Sequence, residues 1–139
     1  MLSFVYSLIC NDMTSALETV GLDPYVGFMH TLRPGRASLA LDVMEELRAY
    51  LGDRLILSLI NRKQITIKDF VKQGDESIVM TESGRKTILT AWQSRKKETI
   101  THPYLNEKVS IGLLPYIQSM LLARFIRKDI DDYPVFLIQ

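Results

Sequence analysis

An all-α fold, a compact multi-helix domain with one short hairpin near residues 65 to 80, is what the sequence predicts. Three observations carry that reading. Apolar residues recur at three- and four-residue steps through most of the chain, glycine and proline punctuate the ends of those runs, and no repeat, low-complexity stretch or long linker divides residues 1 to 139. A single helical domain follows.

The first run places Phe4, Val5, Leu8, Ile9, Met13, Ala16, Leu17 and Val20 along one side of a helix. Gly21 stands where a left-handed residue closes a helix, and Asp23-Pro24 reads as the cap and first turn of another. The chain therefore opens inside a helix with no polar lead, as expected of a piece of a longer protein.

Beyond a turn at Pro34-Gly35, residues 38 to 51 set Leu39, Val43, Leu47, Tyr50 and Leu51 on one helical face. At about 100° per residue, Asp42, Glu45 and Glu46 fall within an arc of about 100° on another face. Gly52-Asp53 is expected to break that helix and cap the next, which carries Leu55, Ile56, Leu59 and Ile60. Residues 65 to 80 admit a short hairpin or a small helix with a turn around Gln73-Gly74-Asp75, and the hairpin is the reading adopted. Thr81 is a good N-cap for a helix reaching Lys97, with Ile88, Leu89 and Trp92 on its apolar face. A long last helix is expected from Glu107 to about Arg127, either kinked at Pro115 or starting its second half there.

Composition narrows the function classes. Seventeen basic residues against sixteen acidic ones leave a net charge of +1, so any nucleic-acid contact must come from local patches. No run approaches the length of a membrane span, and no signal peptide is recognisable. Cys10 is alone, which excludes an intrachain disulfide and favours a reducing, cytoplasmic setting.

The chemistry-bearing candidates cluster early. His30 precedes Asp42 by twelve residues and Glu45 by fifteen, across the Pro-Gly turn. An imidazole nitrogen with carboxylate oxygens suits Mn²⁺, and a carboxylate-rich version suits Mg²⁺, ions that activate an oxygen for attack on phosphate. The competing reading is a capping histidine beside the solvated face of an amphipathic helix. Arg33 and Arg36 flank the turn, where they could neutralise phosphates or form surface pairs with Glu45 or Glu46. His102-Pro103-Tyr104 reads as a loop between helices and Trp92 as core. There is no phosphate-cradling glycine loop and no cysteine pair for zinc.

The run Gly21-Leu22-Asp23-Pro24-Tyr25-Val26-Gly27-Phe28-Met29-His30, then Arg33-Pro34-Gly35-Arg36 and Ser38 through Arg48, resembles the CRISPR-associated adaptation endonuclease, the integrase that inserts spacers into CRISPR arrays. The version resembled is that of type I-C systems. Residues 2 to 6, Leu59-Ile60-Asn61-Arg62, Thr81 to Trp92 and Ala123 to Pro134 fit the same order. The resemblance implies the C-terminal catalytic lobe of such an enzyme, with His30 and Glu45 as metal ligands, Asp42 as an acidic neighbour, and Mg²⁺ or Mn²⁺ as cofactor. It also implies an upstream glutamate ligand and an N-terminal β-rich domain that these residues do not include, so the isolated fragment is expected to be inactive. Double-stranded DNA, a small CRISPR-associated partner dimer and a second copy of the protein would be its partners. Arg33, Arg36 and Arg48 are the candidates for phosphate contacts. The alternative is a non-catalytic helical module that binds DNA or protein.

Overall fold

The computed structural model describes residues 1–24, 38–74 and 77–136. Helix α1 (Leu2–Thr19) follows the predicted stripe: Val5, Ile9, Met13 and Leu17 are fully buried, one per turn. The helix closes as expected at Gly21, whose φ of 87° lets its own N–H reach Glu18 O at 3.1 Å and that of Leu22 reach Leu17 O at 2.9 Å. The expected helix from Asp23-Pro24 and the Pro34-Gly35 turn fall largely outside the described residues.

Helix α2 (Ser38–Leu47), a π-helical turn (Arg48–Asp53) and α3 (Arg54–Asn61) run on from one another. The expected break at Gly52-Asp53 is therefore corrected: both flanking residues, Leu47 and Arg54, keep right-handed helical angles. Gly52 is present for space and not for a turn. A Cβ built there would lie 3.1 Å from Tyr6 Cε1 and 3.3 Å from Ile9 Cδ1, so its bare backbone admits α1 to close approach.

The hairpin within residues 65 to 80 is found as β1 (Phe70–Gln73) paired antiparallel with β2 (Ser77–Met80), in the register Val71 opposite Val79. Thr81 caps α4 (Glu82–Lys97) as predicted, its Oγ1 accepting from Gly84 N at 3.0 Å. Ile88 and Trp92 are buried, whereas Leu89, expected beside them, is exposed.

A second antiparallel hairpin, β3 (Thr99–Thr101) with β4 (Lys108–Ser110), replaces the first turns of the expected last helix. Helix α5 (Leu114–Ile126) begins only at Leu114, with Pro115 in its first turn, where a missing N–H leaves no bond unmade. The fold is thus 62% helical with two two-stranded sheets, and not plainly all-α. Strands of three residues are too short to show alternation, which is why the second hairpin escaped prediction.

The core forms where α1 packs on α2, the π turn and α5, while α3 and α4 join it from the side. Val43, Leu47, Leu51, Leu55 and Leu59 continue one buried row through the α2–α3 run and meet Ile88, Trp92, Leu114 and Leu122. That row fixes the rotation of α2, and with it the direction of its acidic residues.

Candidate active site

Three carboxylates on α2 enter three different environments. Asp42 is 7% exposed, at the edge of the core row beside Val43. Glu45, one turn on, stands at the surface in an ion pair with Arg48, at 3.3 Å between Oε2 and Nη2 and 3.4 Å between Oε1 and Nη1. The Arg48 guanidinium carbon also lies 5.6 Å from the centre of the Tyr6 ring. Tyr6 in turn donates to Asp53 Oδ1 at 2.6 Å, and this bond to a carboxylate raises the phenol above its usual 10.0. Arg48 is thereby held between α1 and α2 beside the Glu45 carboxylate.

Glu46 turns inward instead. Its Oε2 accepts from Tyr133 Oη at 2.6 Å, from Gln118 Nε2 at 3.0 Å and from the Phe136 N–H at 3.5 Å. Burial pushes its carboxyl up from 4.5, and the Tyr133 and Gln118 bonds oppose that push. Tyr133 is driven far above the tyrosine range by burial and then by the Glu46 charge it faces.

Gln118, fully buried on α5, extends the network. Because its amide nitrogen faces the Glu46 carboxylate, its oxygen must face the other way, where it accepts from His102 Nε2 at 2.8 Å. His102 Nδ1 accepts from the N–H groups of Tyr104 and Leu105, at 3.1 and 3.2 Å. The ring hydrogen thus sits on Nε2. His102 is the corner of the β3–β4 hairpin, 1% exposed, and not the simple inter-helix loop expected.

Of the sequence-predicted site residues, the structure brings Asp42, Glu45 and Arg48 onto one stretch of α2 and the π turn. His30, Arg33 and Arg36 lie outside the described residues. Among the described residues, no three His, Cys, Asp or Glu side chains converge as a metal site would require. The neighbouring carboxylates of Asp42 and Glu45 nonetheless match a hard divalent cation in donor chemistry. The inward network of Glu46, Gln118, Tyr133 and His102 was missed. Gln118 was its one visible signal, a lone amide within the apolar run from Leu113 to Phe125.

Fold and site together define a predominantly helical domain with a carboxylate–guanidinium surface on one continuous helical run. The family described as CRISPR associated protein Cas1 matches residues 1–94, and the chain belongs to that family. A CRISPR-associated endonuclease Cas1 of Chlorobaculum tepidum is 57% identical over 136 residues, which are 98% of this chain and 40% of that protein. The structure of a Cas1 protein from Thermotoga maritima superposes with a TM-score of 0.82 at 30% identity, over 91% of this chain and 39% of that one. A casposase bound to integration product shares the fold, with a TM-score of 0.87 at 24% identity over 97% of this chain and 39% of its own. The chain spans about 40% of the length of the curated relatives it matches. Among the described residues no helix is long and apolar enough to cross a membrane.

Proposed function

We propose that the chain is the catalytic lobe, residues 1–139, of a divalent-metal-dependent DNA endonuclease and integrase that acts in CRISPR spacer acquisition, of the type I-C kind. One observation carries the reading: in a member of the Cas1 family, Glu45 stands exposed on α2 one turn from Asp42, with a guanidinium already placed beside it.

In this reading His30 and Glu45 hold Mg²⁺ or Mn²⁺ with Asp42 as an acidic neighbour, a set whose nitrogen and oxygen donors fit either ion. When bound, the ion supplies positive charge to the phosphoryl oxygen and acidity to the attacking hydroxyl or water. Glu45 is free to take that role at small cost, because an exposed ion pair such as Glu45–Arg48 is worth at most about 1 kcal/mol. Arg48, released from Glu45 and still steadied by Tyr6, binds a phosphate oxygen next to the site. Arg33 and Arg36 take further phosphates and fix register without reading sequence. The burial of Asp42 fixes the face of α2 from which both carboxylates act.

Double-stranded DNA, a second copy of the protein and a small CRISPR-associated dimer are the partners, and the setting is cytoplasmic. Cleavage and strand-transfer assays on a labelled DNA duplex with Mn²⁺, made with the lobe joined to the upstream segment that the resemblance implies, test this. His30→Ala and Glu45→Gln should each abolish product, and because Glu45 is exposed, Glu45→Gln should keep its unfolding temperature within about 2 °C of wild type. Full activity in Glu45→Gln would remove that residue from the site.

A further inference from the structure

A groove of about 910 Å³ separates α3 from α4, away from the acidic stretch of α2. Its charge is one-sided. Arg54 on α3 and Arg62 at its C-terminal cap line it from one side, Lys86 and Arg95 on α4 from the other, and among the described residues the one carboxylate facing them is that of Glu98, which pairs with Arg95 at 3.1 Å. Among the described residues no carboxylate lies within ion-pair distance of Arg54, Arg62 or Lys86. Such a concentration is notable in a chain of net charge +1.

The cations are arranged in rows. Arg54 and Ser58 on α3 and Arg62 at its C-terminal cap follow one another at four-residue steps, so the row extends about 12 Å, or three to four nucleotide rises along a duplex axis. Across the groove Lys86, Thr90 and Ser94 repeat the same step on α4. Hydroxyls and cations in such rows are the donors that phosphate oxygens accept from. Two of the cations are also pre-positioned, because the guanidinium carbons of Arg54 and Arg95 lie 4.8 and 5.0 Å from the centre of one ring, Tyr50. Ordering them before binding lowers the entropy lost on binding. The leucines lining the groove, Leu55 and Leu59, are buried beneath this polar layer, so it offers no apolar anchor of the kind that protein partners need.

We propose that the α3–α4 groove is a sequence-independent binding surface for the backbone of a DNA duplex, separate from the carboxylates of α2. The assignment rests on the DNA-processing reading above. It extends that reading by giving the duplex a second point of attachment on the same helical run.

The test is fluorescence anisotropy of a labelled duplex with the whole chain, titrated over a range of salt concentrations. The groove variant is Arg62→Ala with Lys86→Ala; Lys72→Ala with Lys108→Ala, both exposed and outside the groove, is the control. Far-ultraviolet circular dichroism checks that both keep the fold. Removing two cations that each neutralise one phosphate should lower the slope of log affinity against log salt by about 1.8, with affinity at low salt falling about tenfold, while the control keeps the wild-type slope. A groove variant with wild-type slope and affinity overturns the proposal. Polyglutamate competing for wild type but not for the groove variant, with duplex affinity unchanged, overturns it in favour of an acidic protein partner. Glu45→Gln separates the two readings. If the groove variant loses slope while Glu45→Gln, in the extended protein used for the cleavage assay, still cleaves, the groove stands and the catalytic assignment falls; the opposite pair of results removes the groove alone.

Discussion

Replacing Gln118 by leucine should test the inward network most directly. Leucine has similar volume but no polar atoms, so the α5 packing survives while the amide's hydrogen bonds disappear. His102 Nε2–H would be left buried without the acceptor it now has at 2.8 Å, at a cost of about 1–3 kcal/mol. Glu46 would lose the donor now at 3.0 Å, and a bond to a charged group is worth about 1.5–3 kcal/mol; Tyr133 still serves it at 2.6 Å. The combined loss is about 3–5 kcal/mol, a large share of the usual margin of folding. At about 3 °C per kcal/mol for a domain of this size, thermal unfolding followed by circular dichroism should shift down by about 10–15 °C. A companion double-mutant cycle with His102→Phe should show that the second change costs about 1 kcal/mol less in the Gln118→Leu background than alone. A drop below about 3 °C in Gln118→Leu would refute the claim that these bonds tie α2, α5 and the second hairpin together.

Two further outcomes follow from single positions. Burial raises the Glu46 carboxyl above 4.5, so the folded chain holds that proton more tightly than the unfolded one; its stabilising contribution is complete below 4.5 and is lost as pH rises through the folded value. Wild-type stability measured relative to Glu46→Gln should therefore fall as pH rises from 4.5 through the raised folded value in urea titrations, and a flat difference would refute the sign. Gly52→Ala should destabilise by about 1 kcal/mol, since crowding against Tyr6 and Ile9 costs more than the helix propensity recovered; an unchanged urea midpoint would show that Tyr6 yields freely.

The sequence made α1, its glycine closure, the Thr81 cap and the first hairpin legible, because each is encoded locally by period, cap or turn residues. The π turn was not legible. Gly52-Asp53 carries the local signature of a stop, whereas glycine stands there to admit Tyr6 and Ile9 of a distant helix, which no local signal shows. Pro115 was ambiguous for a similar reason: it fits a kink or a first turn equally, and the choice depends on Ile111 N–H pairing with Glu98 O at 2.8 Å across the second hairpin. Of the acidic arc, spacing correctly grouped Asp42, Glu45 and Glu46. It could not say that Glu46 faces inward, since its partners come from 72 and 87 residues away.

The unbroken run from Ser38 to Asn61 has a mechanical consequence. It is a rigid ruler that carries Glu45 near one end and Arg62 just past the other, about 25 Å apart at the usual rise per residue. The wider turn at Arg48–Asp53 sets the phase between the two halves of that ruler. Removing one residue there would leave both halves helical yet rotate one against the other by about 100°. The chain thus stores, in the winding of six residues, the relative aim of its acidic and basic faces.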